Sequence, residues 1–342
     1  MNNFVCVRLV NIDNLDLSMF QFDSELSFAA FFFNANGDVY GRYGTRSYKD
    51  RKLFKSDFSY TALGVDNTSD VTVDGFKKAA SVALALHGKY LLDRSVAKSL
   101  LGKKRKTTVW KTPRSIIGTS RRGCIHCHHI KTYTVASLKK ANKVIPDKKL
   151  WSFPMPDTLG FVLDPKEKAK IKKIILGSEA DMIGLKVGDE IQTMSKQPII
   201  SIADVQWVLH ESTPLQEIKM SILRKNKTFE VTLVLPSGWR RRGRFNWRWR
   251  SSRELWKEFT DYFLDLEDSK VLDGVRVIKA GTRINDAQII PGDIIVDVDK
   301  QGRKNASELL AYLLQEKTLG EPLNLTILRK NKRIVVSIRT FK

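Results

Sequence analysis

The chain has 342 residues, 42% of them hydrophobic, and its 59 Lys and Arg outnumber 37 Asp and Glu to give a formal net charge of +22. No apolar run reaches the roughly 18 residues of a membrane-spanning helix, and three cysteines exclude a disulfide scaffold. The cationic excess favours acidic partners, nucleic acid or an anionic membrane face, yet it is spread along the chain as in a solvated Lys-rich surface. The opening Met1-Asn2-Asn3-Phe4 has no basic region followed by an apolar stretch, so no signal peptide is read there.

In chain order, Phe4 to Val10 reads as a strand, with Cys6 on its apolar face as a buried small hydrophobe. Leu26 to Asn34 and Val39 to Tyr43 read as a hairpin turning at Asn34-Ala35-Asn36-Gly37-Asp38. Asp74 is a candidate cap for a helix from Gly75 to His87 that Gly88 ends. Strand, hairpin and helix in this order, with the stretch Phe31 to Gly44, resemble the second half of a thioredoxin-like fold. That family's Cys-x-x-Cys and the proline expected before Phe28 are both missing. Residues 1–98 are therefore expected to be the C-terminal half of such a domain, with the chain beginning in mid-fold.

Residues 99–149 read as a basic linker, Lys-rich from Lys103 to Lys111. It carries Cys124-Ile125-His126-Cys127-His128, which fits the Cys-x-x-Cys-His signature of covalent haem attachment. Two thiols would bond the vinyl groups and His128 would sit beneath the iron. Met155 is the candidate distal ligand, with His129 and His87 as weaker ones. Two other readings stay open. One is a redox dithiol, its thiol pKa lowered by Arg121 and Arg122. The other is a metal site drawn from Cys124, Cys127, His126, His128 and His129.

Residues 150–236 form the first of two repeats. Leu150 to Phe153, Phe161 to Leu163, Ala169 to Leu176 and Glu190 to Met194 read as strands, and Gly177-Ser178-Glu179-Ala180 opens a short helix that Gly184 ends. Ser201 caps a helix whose Ile202, Val205 and Leu209 share one stripe. Ile218 to Leu223 and Thr228 to Leu235 close a hairpin over Arg224-Lys225-Asn226-Lys227. The sequence Ile-Leu-Arg-Lys-Asn-Lys, Ile222 to Lys227, returns at Ile327 to Lys332. Val187-Gly188-Asp189-Glu190-Ile191 returns as Pro291-Gly292-Asp293-Ile294-Ile295. A period of about 100 residues marks a duplicated domain, not a solenoid unit. In the second copy, residues 245–342, Val275 to Ile278 is a strand and Ser307 to Leu314 a helix.

These signatures resemble bacterial PDZ domains, small β-barrels or sandwiches with capping helices. The resemblance implies that Leu159-Gly160-Phe161 is the carboxylate-binding loop and that a peptide adds as a strand beside Phe161, Val162 and Leu163. Its side chains would meet Ile202, Val205 and Leu209, a stripe that equally suits a core. In the second copy Asp261-Tyr262-Phe263-Leu264 replaces that loop, and Asp261, Asp265, Glu267 and Asp268 would repel a carboxylate, leaving a scaffold or a binder of basic segments. Between the copies, residues 237–244 are a basic linker. Arg240, Arg241, Arg242, Arg244, Arg248 and Arg250, interleaved with aromatics, suit nucleic acid or an anionic membrane. The alternation of Phe245, Trp247 and Trp249 equally suits a strand opening the second copy.

The whole is an α+β chain, a partial thioredoxin-like domain followed by two PDZ domains, and its order resembles a bacterial thioredoxin-like/PDZ family that includes selenoproteins. That resemblance implies a cysteine or selenocysteine motif upstream of Met1, an exported or periplasmic setting, and a redox partner. The expected role is binding of protein C-termini or extended peptides beside a haem c or redox element. The enzyme alternative is a thiol or selenol oxidoreductase. Neither Gly-x-Ser-x-Gly nor Gly-Asn-Ser-Gly-Gly occurs, so no serine-protease nucleophile is read.

Overall fold

The computed structural model describes residues 3–26, 28–45, 70–100, 111–118, 124–242, 249–269, 272–282, 288–302 and 305–341. In chain order the elements are β1 (Ala30–Phe33), β2 (Val39–Tyr43), α1 (Val73–Leu92), α2 (Pro113–Ile117), α3 (Cys127–Lys140) and α4 (Asp147–Leu150). Then come β3 (Phe161–Leu163), β4 (Ile171–Ile174), α5 (Glu179–Met182), β5 (Glu190–Met194), β6 (Gln197–Pro198), α6 (Ile202–Glu211), β7 (Glu217–Arg224) and β8 (Lys227–Val234). The last are α7 (Trp249–Phe259), β9 (Tyr262–Asp268), β10 (Val275–Thr282), β11 (Ile294–Val298), α8 (Ala306–Ala311), β12 (Leu323–Arg329) and β13 (Lys332–Ile338). The chain divides into two compact units, 1–115 with 123–125 and 152–243, and 116–122 with 126–151 and 244–342. Residues 126–149, expected within a linker, and 150–151, expected to open the first repeat, thus fold with the second unit, and the N-terminal hundred fold with the first repeat. No helix among the described residues is long and apolar enough to cross a membrane.

In the first unit β1 and β2 pair antiparallel. Asn34 shapes their turn: its Oδ1 accepts from the Asn36 and Asp38 amides, both at 3.0 Å, and Gly37 supplies a φ of +80°. The predicted hairpin is present, but three neighbouring expectations fail. Phe4 to Val10 forms no strand; Val5 and Val7 are 96% and 77% exposed, and Cys6 is exposed rather than buried. Without a partner strand, apolar alternation alone cannot satisfy a backbone edge. Helix α1 starts earlier, capped by Thr72, whose side chain accepts from the Gly75 amide. It also runs through Gly88 to Leu92, since a helical glycine costs only about 1 kcal/mol against alanine. Among its described residues this region contributes a two-stranded sheet, helix α1 and a short 3-10 turn at Arg94–Ser99; the thioredoxin-like assignment rests on the sequence resemblance alone.

The first repeat builds a two-stranded sheet, β3-β4, and a four-stranded one ordered β6-β5-β7-β8. Leu150 to Phe153 is not a strand: Asp147–Leu150 is a short helix, and Leu150 is buried in the second unit's core. The second repeat is one five-stranded sheet, β13-β12-β11-β10-β9. Its opening is also corrected. Trp249 begins helix α7, not a strand, and Leu255, Trp256 and Phe259 bury one helical stripe. Residues 243–248, with Phe245 and Trp247, lie outside the described residues.

The repeated hexapeptide is explained by two jobs done side by side. Lys225 and Asn226 take φ of 46° and 63°, and Lys330 and Asn331 take 47° and 64°, so each pair is a left-handed two-residue hairpin turn. The arginine before each turn forks onto the aspartate of the other repeated signature. Arg224 donates to Asp189 at 2.6 and 2.7 Å; Arg329 donates to Asp293 at 2.8 Å through both nitrogens. Each aspartate is 1% exposed and also accepts a loop amide, from Lys186 and from Ile290. The two sequence signatures recur together because they touch.

Candidate functional site

The peptide slot predicted for the first repeat would lie between β3 and α6. Phe161 pairs with Ile174, and the Ile175 amide donates to the Gly160 carbonyl at 2.8 Å. In an antiparallel ladder this alternation turns the Phe161 N–H and C=O away from β4. β4 is the only strand paired with β3 among the described residues, so that edge has the form a peptide strand would extend. Gly160 has φ of +92°, and a Cβ there would lie 1.9 Å from Ser178 Oγ, so glycine is required. Its amide, expected to receive a carboxylate, instead donates to the Asp157 carbonyl at 3.1 Å.

The predicted lining residues are placed as follows. Leu159, Phe161, Leu163, Ile202, Val205 and Leu209 are all buried members of the first repeat's core, and Val162 is half-buried. The stripe Ile202/Val205/Leu209 thus resolves to core. Its neighbours on α6 carry the polar contacts, and the protein's own chain takes them. The Arg42 amide donates to Asp204 Oδ1 at 2.9 Å and Ser201 Oγ donates to the Arg42 carbonyl at 2.5 Å. Thr45 Oγ1 donates to Gln206 Oε1 at 2.7 Å, and Gln206 Nε2 donates to the Phe153 carbonyl at 3.0 Å. Phe153, held at φ of 49°, stacks on the His210 ring at 4.1 Å. Helix α6 is therefore sheathed by β2 and by the segment entering the loop. Thr45, Gln206 and His210 carry no sequence signal for this, because they are ordinary polar residues matched across long separations.

Beneath the sheath lies a buried ion pair. Asp204 is wholly buried, Arg42 is 4% exposed, and Arg42 Nη1 is 3.7 Å from Asp204 Oδ1. Burial raises the Asp204 carboxyl to about 7, against the lowering charge of Arg42 and three backbone amides. Burial likewise lowers Arg42 to about 10, against the charge of Asp204. Both shifts run against ionisation, so desolvation outweighs the attraction within the pair. The Arg42 guanidinium also lies 4.3 Å over the Trp207 ring.

The basic residues between the repeats are not one surface. Arg240, predicted to be exposed, is 4% exposed. It donates to the carbonyls of Leu209 and His210 at 2.9 and 2.8 Å and to that of Ser212, closing the C-terminus of α6. Arg241 and Arg242 are exposed, and Arg242 pairs with Glu179 at 2.5 Å. Arg244, Arg248 and the side chain of Arg250 lie outside the described residues.

At the cysteine-histidine motif, Cys124 is exposed and Cys127 begins α3. Burial pushes the Cys127 thiol up, only partly opposed by a backbone hydrogen bond. That is opposite to the lowered thiol the dithiol reading needs. Arg121 and Arg122 lie outside the described residues. Met155 packs against the first repeat's core, and its sulfur lies 3.5 Å from Thr45 Oγ1. In the second unit His128 Nδ1 and His129 Nε2 lie 3.3 and 3.8 Å from the two oxygens of Glu254. Glu254 was not among the sequence candidates: it is on α7, more than a hundred residues away, and only the fold brings it to α3.

Two of the acidic residues expected to repel a carboxylate in the second repeat are buried. Asp261 and Asp265 are each 7% exposed, and burial pushes the Asp261 carboxyl up against the opposing pull of backbone hydrogen bonds and Arg339.

No family model matches the chain. Over 187 residues it is 24% identical to the periplasmic pH-dependent serine endoprotease DegQ of Escherichia coli (strain K12), covering 52% of this chain and 38% of that protein. Over 158 residues it is 26% identical to a probable periplasmic serine protease, do/HhoA-like, of Haemophilus influenzae, covering 46% of this chain and 32% of that protein. Among solved structures, an HtrA-type protease with a decapeptide shares 19% identity at a TM-score of 0.21, over 36% of this chain and 41% of that one. These relatives lend no support to the thioredoxin-like selenoprotein family. The chain is similar to HtrA/DegQ-type serine proteases and spans 38% and 32% of the length of the two curated relatives.

Proposed function

We propose that the first repeat is a PDZ-type receptor for extended peptides or protein C-termini, held closed by the chain's own N-terminal hairpin. One observation carries the reading: the Phe161 N–H and C=O face away from β4 on the side of a strand that pairs with nothing else among the described residues. Similarity to HtrA/DegQ-type proteases, which carry PDZ domains, supports it. Peptide entry requires the sheath over α6 to loosen. The peptide's backbone then joins the Phe161 edge, while Gln206 and His210 exchange their internal partners for it. The proteolysis of the relatives is not carried over, because the sequence holds no matching serine nucleophile motif.

The test is a titration of the isotope-labelled chain with a decapeptide ending in a free apolar C-terminus, followed by amide shifts. Perturbations are expected at Phe161–Leu163 and along Ala203–His210, and C-terminal amidation of the peptide is expected to weaken them. Thr45→Ala removes the 2.7 Å bond to Gln206. That bond is worth about 1 kcal/mol, so affinity should rise roughly fivefold. Shifts confined to other surfaces, or no binding by the Thr45→Ala chain, would remove the basis for the proposal.

A further inference from the structure

We propose that His128, His129 and Glu254 form a site for a borderline divalent cation such as Zn²⁺, tying α3 to α7 within the second unit. The donor atoms of the three side chains all lie within 4.8 Å of one another. Two imidazoles and a carboxylate are the donor types such ions take. The closest spacing, between His128 and Glu254, fits two donors of one ion better than a closed hydrogen bond. His128 Nδ1 is 3.3 Å from Glu254 Oε2, and His129 Nε2 is 3.8 Å from Oε1. Donors sharing one tetrahedral ion at bonds near 2.0–2.1 Å stand about 3.3 Å apart, whereas a charged hydrogen bond closes to about 2.8 Å.

A second observation is independent of the spacing. His128 Nδ1 is buried without a hydrogen-bond partner, despite a carboxylate oxygen so near. Buried polar nitrogens are almost always partnered, and a metal ion would supply what this one lacks. Glu254 is also prepared as a ligand. Thr132 Oγ1, on α3 and 6% exposed, donates to its Oε2 at 2.8 Å, the outer-shell support that fixes a ligating carboxylate.

His129 imposes a condition. Its Nδ1 accepts the His126 amide at 2.9 Å, which puts the neutral ring's proton on Nε2, facing Glu254. Coordination through Nε2 requires that proton to move to Nδ1, and the His126 amide then loses its acceptor. The start of α3 is thus a reporter of ion capture. Three protein donors leave the fourth tetrahedral position to water or an anion. The thiols of Cys124 and Cys127 are not in this set.

The experiment is calorimetric titration of the full chain with Zn²⁺, with Co²⁺ absorbance and amide spectra in parallel. One ion per chain is expected, with a shift of the His126 amide and no sulfur-to-cobalt charge-transfer band. Glu254→Gln and His128→Ala should each weaken binding at least tenfold. Cys124→Ser with Cys127→Ser should bind as the unmodified chain does. Circular dichroism of the Glu254→Gln chain separates loss of a ligand from loss of fold, and a folded Glu254→Gln chain that binds Zn²⁺ undiminished overturns the proposal. So does absence of binding by the unmodified chain, or binding that disappears with the thiols and carries the charge-transfer band.

Discussion

Above about pH 7, where the Asp204 carboxyl is ionised, Asp204→Ala is expected to cost the first unit about 3–5 kcal/mol of unfolding free energy, because it leaves the buried Arg42 guanidinium without its counter-charge. The Ile200 and Arg42 amides lose their acceptor in the same step. The Trp207 face and the Gln21 carbonyl remain to Arg42 and keep the loss from being larger. Since both pKa shifts run against ionisation, the pair itself is a poor source of net stability. Replacing both members, Arg42→Met with Asp204→Leu, should therefore recover most of what the single change loses. The pH dependence has a definite sign. Asp204 is raised to about 7 in the folded chain, above its unfolded value, so folding takes up a proton. The stability this gives is complete below about pH 4 and is lost as pH rises through about 7. Urea unfolding midpoints between pH 4 and 8 should fall for the unmodified chain and stay flatter for Asp204→Asn. A single-variant cost below about 1 kcal/mol would show that water reaches Arg42 and that β2 does not seal α6.

The same region marks the limit of what the sequence made legible. Features written in adjacent residues were readable: the Asn34–Asp38 turn, the Ser201 cap, and the Lys-Asn turns of the duplicated hairpin. The duplication itself was readable because a turn and an arginine clasp are short, local devices that tolerate little change. The limits of α1 were not, because Thr72 and Asp74 are both plausible caps and Gly88 is only a weak breaker. Helix α7 was missed for a different reason. The aromatics Phe245, Trp247 and Trp249 alternate as in a strand, and that alternation masked the 3.6-residue stripe of Leu255, Trp256 and Phe259. The proposed slot was half legible. Its strand, its glycine and its helix were found, but a stripe of apolar residues cannot say which face meets the core. The contacts that close it join residues about 160 apart, Thr45 with Gln206 and Arg42 with Asp204, and no local pattern announces them. Glu254 was out of reach on the same grounds.

Arg240 shows how far composition can mislead, and it carries the second large effect. Within Trp239-Arg240-Arg241-Arg242 three identical charges meet three different fates, and only Arg240 is buried. A helix ends with carbonyls that lack intrahelical donors. At the end of α6 those of Leu209, His210 and Ser212 receive the Arg240 guanidinium, which also lies 4.6 Å over the Trp239 ring. Arg240→Ala removes the donors, leaves these carbonyls facing the protein interior and opens a void beside Trp239, which is fully buried. A loss of about 3–4 kcal/mol is expected, from unsatisfied buried acceptors plus the helix-end charge. Arg240→Lys should restore only part of it, since an ammonium offers three donors but no planar group to lie over the Trp239 ring. Arg241→Ala, at an exposed neighbour, should stay within about 0.5 kcal/mol of the unmodified chain. Hydrogen exchange supplies a local readout: the Ser212 amide, bonded to the Val208 carbonyl at 3.0 Å, should lose protection in Arg240→Ala well before global unfolding. If instead the two alanine variants unfold alike and exchange alike, Arg240 belongs with its neighbours on a solvated basic surface. The end of α6, and with it the floor of the slot beside His210, would then need another anchor.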